Sequence, residues 1–208
     1  DQLTFNSENW HTHQRIRVKG VDDDVADGDQ DYTIILSPAV SNDSNYSGID
    51  PRDVILTNRD DDTAGIKVNT LSGPTSEAGD TATFTVVLDS EPTADVTMGV
   101  SSSDVGEGTV NTASLVFTSG NWNTPQTVTV TGVDDAIDDG DQAYSIVLAA
   151  ATSSDSNYSG INPPDVVVSN RDNDIISVGA ISGATTEAAG TATFTVVLDS
   201  EPTADVTM

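Results

Sequence analysis

The sequence predicts an all-β protein made of tandem antiparallel β-sandwiches. Three observations support this fold class: apolar residues alternate with Thr, Ser and Asp at a period of two, turns rich in Gly, Pro, Asn and Asp separate these segments, and the pattern recurs at about the length of a domain. No segment carries an amphipathic helical stripe of useful length. A repeat of this length can bury a core of its own, so we expect modules arranged like beads on a line.

The repeats divide the chain into three parts. Residues 81–98 are identical to residues 191–208, and the acidic stretch at 20–30 returns at 132–142, which is 112 residues later (132 minus 20). We therefore predict that residues 1–62 are the C-terminal part of one repeat, residues 63–174 a complete repeat, and residues 175–208 the N-terminal part of the next. Because both ends fall inside a repeat, we expect the polypeptide to be a piece of a longer array.

The complete repeat predicts seven short strands. Their alternating residues lie at 66–68, 82–88, 96–100, 115–117, 128–130, 144–148 and 166–168. Seven strands at this spacing are typical of an immunoglobulin-like sandwich. Tyr144, at the start of the sixth strand, occupies the position expected for a tyrosine corner.

The composition excludes several classes of partner. The chain has 34 Asp and Glu against 7 Lys and Arg, a formal charge of −27. Nucleic acid and anionic membrane surfaces would be repelled by such a surface, and no apolar run approaches the ~18 residues of a membrane span. The sequence has no cysteine, which excludes disulfides, thiolate metal ligands and cysteine nucleophiles.

The densest chemical signal is the acidic stretch at 132–142, in which five carboxylates surround Gly140. The stretch at 20–30 also has five carboxylates and one internal glycine, Gly28. Carboxylates at this density raise one another's pKa unless a cation lies among them. Hard oxygen ligands on an irregular loop suit Ca²⁺, which accepts six to eight oxygens. We therefore predict a calcium-loaded module.

The predicted strand order brings further acids to the same place. In an antiparallel sandwich the ends of the odd-numbered strands meet at one pole, and here they are followed by Glu77, Asp104, residues 134–141 and residues 172–174. The turn at 119–123, after the fourth strand, has no carboxylate. No acidic run fits the EF-hand pattern, so the site must be assembled from separate loops. Since the last strand leads directly into the next repeat, we expect this site at a junction between modules.

Four sequence features together resemble the Calx-beta domain family. They are Asp60 to Ile66 (Asp-Asp-Asp-Thr-Ala-Gly-Ile), Glu77-Ala78-Gly79, the strand at 84–88 and the Val-Asp-Asp loop before an aromatic strand. That family is known from the calcium-sensing region of sodium/calcium exchangers and from tandem repeats of large bacterial surface proteins. The resemblance covers the complete repeat and both partial ones.

The resemblance implies a set of calcium ligands by position. In the complete repeat these are Glu77, Asp104, Asp134, Asp135, the carbonyl of Ile137, Asp139, Asp172, Asn173 and Asp174. In the first partial repeat the matching set is Asp22, Asp23, the carbonyl of Val25, Asp27, Asp60, Asp61 and Asp62, and the third part contributes Glu187. Asn173 stands where the family often has Asp, Gln142 where it is frequently acidic, and Ala136 where the first copy has Asp24, so fewer ions are expected than in the family's fullest sites.

Other candidate sites are weaker. His11 and His13 share one face of an extended segment and could hold a transition metal, although the complete repeat has Asn123 and Pro125 at these positions. Trp10 and Trp122 could stack on sugars, but capping one end of the sandwich is the favoured interpretation. The complete repeat has no histidine and no nucleophile paired with a base, so we predict that the protein is not an enzyme.

The predicted function is that of a calcium-binding structural repeat in the rigid stalk or filament of a large secreted or cell-surface protein. Its partners would be the neighbouring repeats of the same chain. The alternative is a calcium-dependent adhesion module that binds a carbohydrate or a protein. A third hypothesis is self-assembly, in which residues 1–62 and 175–208 of neighbouring copies complete each other.

Overall fold

The computed structural model describes residues 2–202 and 204–208, and all the regular structure in them is β-strand. The chain forms two compact units, residues 1–62 and residues 63–208. The division of the chain into three repeat segments stays a prediction. Among the described residues, no helix has the length and hydropathy needed to cross a membrane.

The strands are numbered in chain order. The unit at 1–62 contains β1 (Gln30–Ile34) and β2 (Val54–Asn58). The unit at 63–208 contains β3 (Ile66–Val68), β4 (Thr75–Ser76), β5 (Thr81–Leu88), β6 (Val96–Ser102), β7 (Gly108–Val110), β8 (Ser114–Phe117), β9 (Gln126–Gly132), β10 (Gln142–Leu148), β11 (Val166–Arg171), β12 (Ile176–Val178) and β13 (Val196–Leu198).

The complete repeat is a sandwich of two sheets. One sheet has the order β4-β11-β10-β6-β8 and the other has the order β3-β5-β9-β7. In β5 the buried positions alternate with half-buried and exposed ones, as a strand with one face on a core requires. The core is formed by buried side chains from both sheets, among them Phe84, Val86, Met98, Phe117, Val128, Val130, Ile146, Leu148 and Val168.

The sequence prediction of an all-β sandwich is confirmed, but the predicted count of seven strands per repeat is not. All seven predicted strands are present, and residues 63–174 contain two further short ones, β4 and β7. Strand β4 has only two residues, Thr75 and Ser76, and both are buried. Strand β7 has three. Segments this short carry no measurable alternation, so periodicity could not identify them.

The predicted tyrosine corner is wrong. The hydroxyl of Tyr144 lies 3.1 Å from Oγ1 of Thr75, a side chain on β4, whereas a tyrosine corner bonds the backbone a few residues upstream. The Tyr144 ring lies over Gly108, where a Cβ atom would collide with it. Tyr144 therefore fastens β4 to the sheet instead of closing a turn.

The two predicted partial repeats show the same strand pairing as the predicted complete repeat. Strands β1 and β2 pair Gln30 with Asn58, as β10 and β11 pair Gln142 with Asn170. Strands β12 and β13 pair Ile176 with Leu198, as β3 and β5 pair Ile66 with Leu88. Similar local sequence therefore forms the same strand pairing in each of these segments.

Candidate metal centre

Three carboxylates meet where two neighbouring strands end. Strands β4 and β11 run parallel, with Thr75 opposite Asn170 and Ser76 opposite Arg171. The residues that follow them are therefore neighbours in space, although about 95 positions separate them in the sequence. Oxygen atoms of Glu77, Asp172 and Asp174 lie within 4.8 Å of one another. We call this group the acidic triad.

Backbone amides fix the acidic triad in place. The N–H of Asn173 donates to Oε2 of Glu77 at 3.0 Å, and the N–H of Glu77 donates to the carbonyl of Arg171 at 3.0 Å. Asp172 accepts the N–H of Asp174 on one oxygen and the N–H of Gly140 on the other, both at 2.7 Å. The triad is thus preorganised by the backbone of the same loops that carry its acids.

Asp174 supplies the observation that points most directly to a cation. Its side chain is only 4% exposed. Its Oδ2 atom is the one buried side-chain oxygen or nitrogen in the described residues that has no hydrogen-bond partner. A buried carboxylate oxygen without a donor is costly, and a bound cation removes that cost.

The pKa shifts of the three triad carboxylates differ in direction. Burial raises the pKa of Glu77, the N–H of Asn173 partly offsets this, and the negative charges of Asp172, Asp135 and Asp174 raise the pKa further. Burial and four neighbouring aspartates raise the pKa of Asp174. The N–H groups of Asp174 and Gly140 lower the pKa of Asp172. The metal-free cluster therefore favours binding of a proton or a cation.

The acidic loop between β9 and β10 borders the triad. Asn173 donates its side-chain N–H to Asp134 Oδ1 at 3.3 Å, and the charges of Asp134 and Asp135 both act on Asp174. The loop itself is exposed and turns at Gly140, where φ is 74°. The structure thus brings Glu77, Asp134, Asp135, Asp172, Asn173 and Asp174 of the predicted ligands together.

The remaining predicted ligands of the complete repeat lie less centrally. Asp104 and Asp139 influence the pKa of Glu107 and are not among the groups that shift Glu77. The carbonyl of Ile137 accepts the N–H of Asp139 at 2.9 Å and keeps its second lone pair. These three residues are not members of the acidic triad.

The predicted ligand set omits Glu107, Asp138 and Asn170, although Asp138 belongs to the acidic stretch at 132–142. Glu107 is half-buried directly before β7, and burial raises its pKa while the Asn170 side chain partly offsets this. Asn170 is 1% exposed and donates to Glu107 Oε2 at 3.3 Å and to the carbonyl of Val133 at 2.9 Å. Asp138 acts electrostatically on Asp174. A carboxylate between two glycines was the available sequence signal for Glu107.

The unit at 1–62 repeats this scaffold. Asp60 accepts the N–H of Gly28 at 2.5 Å and that of Asp62 at 2.8 Å, as Asp172 does in the complete repeat. Burial raises the pKa of Asp62, and the charges of Asp60, Asp61, Asp24 and Asp22 raise it further. Predicted ligands from both loops line one cleft: Asp22, Asp23, Asp27, Asp60, Asp61 and Asp62.

Of the two other predicted ligands, Val25 lies in the same loop as these carboxylates, and its N–H donates to Asp23 Oδ1 at 3.1 Å. Val25 offers a carbonyl that accepts the N–H of Asp27 at 2.8 Å. Glu187 is exposed and is not part of the acidic triad, which is the one group of three or more acidic or histidine side chains in the described residues whose ligand atoms all lie within 4.8 Å of one another. His11 and His13 likewise join no such cluster there.

The aromatic residues of the complete repeat do not form an open platform. Trp122 is half-buried and packs against the core. Tyr158 is 1% exposed. Their counterparts in the unit at 1–62, Trp10 and Tyr46, are 70% and 63% exposed. In the complete sandwich these rings therefore serve packing.

Comparison with known families identifies the class of domain. The model of the Calx-beta domain family matches residues 1–62 and 58–174, so the chain belongs to this family and the predicted family is confirmed. Calx-beta domains are β-sandwiches that are associated with calcium and are not enzymes, and they occur in extracellular or membrane-associated proteins. That this particular chain has no catalytic activity stays a prediction.

Two further comparisons add less. No curated protein matches the sequence. Among solved structures, WR4, a member of the MSP family of C. elegans, is similar at 13% sequence identity and a TM-score of 0.32, covering 51% of this chain and 96% of that one.

Proposed function

We propose that the protein is a calcium-binding structural repeat. The observation that carries this proposal is the unpartnered Oδ2 of Asp174, buried beside Glu77 and Asp172. Glu77, Asp172 and Asp174 would hold the ion, with Asp134 and Asp135 at its exposed side. The ion supplies positive charge that neutralises the cluster. The protein's own residues supply a backbone-fixed oxygen cage.

The donor set favours calcium over other metals. All candidate ligands are oxygens, and the described clusters contain neither histidine nor cysteine. Oxygen-only sites suit the hard cations Ca²⁺ and Mg²⁺, and Mg²⁺ demands near-ideal octahedral geometry and retains several waters. An irregular exposed loop beside a fixed triad matches the more tolerant coordination of Ca²⁺.

The proposed role for the ion is mechanical. The acids lie where β11 leaves one repeat, and residue 175 begins the next predicted segment directly after Asp174. An ion held there would fasten a module at the point where its successor starts. Tandem domain-length repeats with this property fit the stalk or filament of a large secreted or cell-surface protein.

A thermal melt of the whole chain tests calcium binding. Ligand binding to the folded state alone stabilises it by about 2.7 kcal/mol at 100 times Kd, so millimolar calcium is expected to raise Tm by several degrees relative to chelator. Asp174→Asn removes one ligand charge and is expected to reduce the calcium-induced rise in the Tm of the unit at 63–208. Asp95→Asn, the same charge change at an exposed position of the turn between β5 and β6, is the matched control. An unchanged Tm in wild-type protein would refute calcium binding.

A further inference from the structure

A turn in residues 175–208 contacts the acidic loop of the complete repeat. The N–H of Glu201 donates to the carbonyl of Ala136 at 2.9 Å. The turn at 199–202 has the sequence Asp-Ser-Glu-Pro, identical to the turn at 89–92. We call residues 199–202 the docking turn. Each predicted repeat that includes its N-terminal part carries this turn at the same position.

The docking turn is tied to the start of its own segment. The N–H of Asp199 donates to the carbonyl of Ile175 at 2.9 Å, and the hydroxyl of Ser177 donates to the carboxylate of Asp199. In the complete repeat the N–H of Asp89 donates in the same way to the carbonyl of Gly65 at 3.0 Å. The turn is therefore fixed to the residue that directly follows the ligand Asp174.

These bonds join the two sides of the proposed calcium site by a second route. Ala136 directly precedes Ile137, a predicted carbonyl ligand, and Ile175 directly follows Asp174. The hydrogen-bonded path from Ile175 through Asp199 and Glu201 to Ala136 thus spans the same two loops that the ion would span. Two connections between the same loops restrain each other's freedom, so each lowers the entropy cost of forming the other.

In the complete repeat the identical turn at 89–92 is held by buried hydrogen bonds. Its Ser90 is fully buried, and the hydroxyl of Tyr158 donates to the Ser90 carbonyl at 2.6 Å and accepts the Ser90 N–H at 3.1 Å. The buried carboxylate of Asp155 accepts the N–H of Thr93 at 2.8 Å. The loop at 153–161, which we call the clasp, therefore holds the turn at 89–92 in place through these hydrogen bonds.

We propose that the docking turn is the interaction surface through which a module receives the acidic β9–β10 loop of the module before it, and that calcium binding and this docking strengthen each other. This proposal rests on the calcium function proposed above, and it adds the surface of the next module that contacts the calcium-binding loop. By linkage, the factor by which docking raises calcium affinity equals the factor by which calcium favours docking.

The test compares two substitutions at one position of the 208-residue chain. Glu201→Pro removes the N–H that Ala136 accepts, whereas Glu201→Ala keeps this N–H and removes the carboxylate. Calorimetric titration with CaCl₂ is expected to give about fivefold weaker binding for Glu201→Pro, the effect of one net hydrogen bond, and near wild-type affinity for Glu201→Ala. Equal affinity in wild type and Glu201→Pro would overturn the coupling.

Hydrogen exchange gives a second readout in the unaltered chain. The Glu201 amide is expected to exchange about fivefold more slowly in calcium than in chelator, the reciprocal of the affinity change. An exchange rate that is the same in both buffers contradicts the proposal. If wild-type protein binds no calcium in the titration, the calcium function and the coupling both fail. If it binds calcium but neither readout changes, only the coupling fails.

Discussion

Tyr158 illustrates how one buried hydroxyl fixes two distant loops. Its oxygen lies 2.6 Å from the Ser90 carbonyl, 2.8 Å from Ser90 Oγ and 3.1 Å from the Ser90 nitrogen. All of these atoms are removed from water, so a lost bond leaves polar groups unsatisfied. The same residue type in the unit at 1–62, Tyr46, is 63% exposed.

This contrast gives a matched pair of substitutions. Tyr158→Phe is expected to lower the free energy of unfolding of its unit by about 1–3 kcal/mol, because it leaves the backbone groups of Ser90 unpaired. Tyr46→Phe is expected to change stability by less than about 0.5 kcal/mol, as exposed substitutions usually do. Urea denaturation of both variants measures the difference, and equal effects would contradict the clasp.

At the scale of elements, the acidic triad depends on β4 lying against β11 and β9. Gly132, the last residue of β9, permits this approach, because a Cβ atom there would collide with the Ser76 carbonyl and with Oδ1 of Asn170. Asn170 in turn accepts the hydroxyl of Thr75 at 3.0 Å. The glycine thus allows the backbone before Glu77 to reach its position beside β11.

Gly132→Ala is therefore expected to destabilise the unit at 63–208 by about 1–3 kcal/mol through overpacking. It is also expected to weaken calcium binding, since Glu77 follows the displaced Ser76. Gly73→Ala serves as the control. It adds the same methyl group where nothing lies within 4 Å, and the backbone φ of Gly73 is not in the positive range that would strain an alanine. Thermal melts and calcium titrations of both variants measure the two effects. If Gly132→Ala changed neither Tm nor calcium affinity, the packing argument would be contradicted.

The sequence predicted those elements whose side chains alternate. Strand β5 has eight residues and four buried positions in alternation, a pattern that identifies its face without any tertiary information. Strand β4 has two residues that are both buried, and its partner in β11 lies about 95 positions away. A pairing of this kind depends on the assembled sheet, so local pattern could not predict it.

The acidic triad was predictable for a different reason. The antiparallel order alone assigns Glu77 and Asp172 to the same pole, and the structure places their oxygens within 4.8 Å. Glu107 escaped notice because Gly106 and Gly108 indicated a turn, whereas Gly108 begins a strand and accommodates the Tyr144 ring. Contacts that depend on a close approach across sheets are not encoded in strand spacing.

At the scale of the whole molecule, the charge of −27 opposes the compact state. Folding concentrates part of this charge at the acidic poles, and burial together with neighbouring charges raises the pKa of Asp62, Glu77 and Asp174. Burial also raises the pKa of Glu107. The metal-free folded state therefore binds protons more tightly at these four groups than the unfolded chain does.

The sign of the pH dependence follows from that difference. A group whose folded-state pKa is raised stabilises the fold as pH falls through that raised value. Asp155 and Asp172 have lowered pKa values, so their contributions are lost only below the ordinary carboxyl range near pH 4. Above that range the raised groups decide the sign of the slope. Metal-free protein is therefore expected to gain stability as pH falls from neutral toward about pH 4.

Calcium is expected to reverse this dependence, because protons compete with the ion for the same carboxylates. In buffer stripped of divalent cations, Tm should rise as pH falls from about 7 toward about 4, and in millimolar calcium it should fall. Glu77→Gln removes one carboxyl group with a raised pKa, so the metal-free Tm of this variant should depend less on pH than that of wild type. A metal-free Tm that falls over this interval would mean that the carboxylates are stabilising as charges, and a cation would then have no excess repulsion at the acidic triad to relieve.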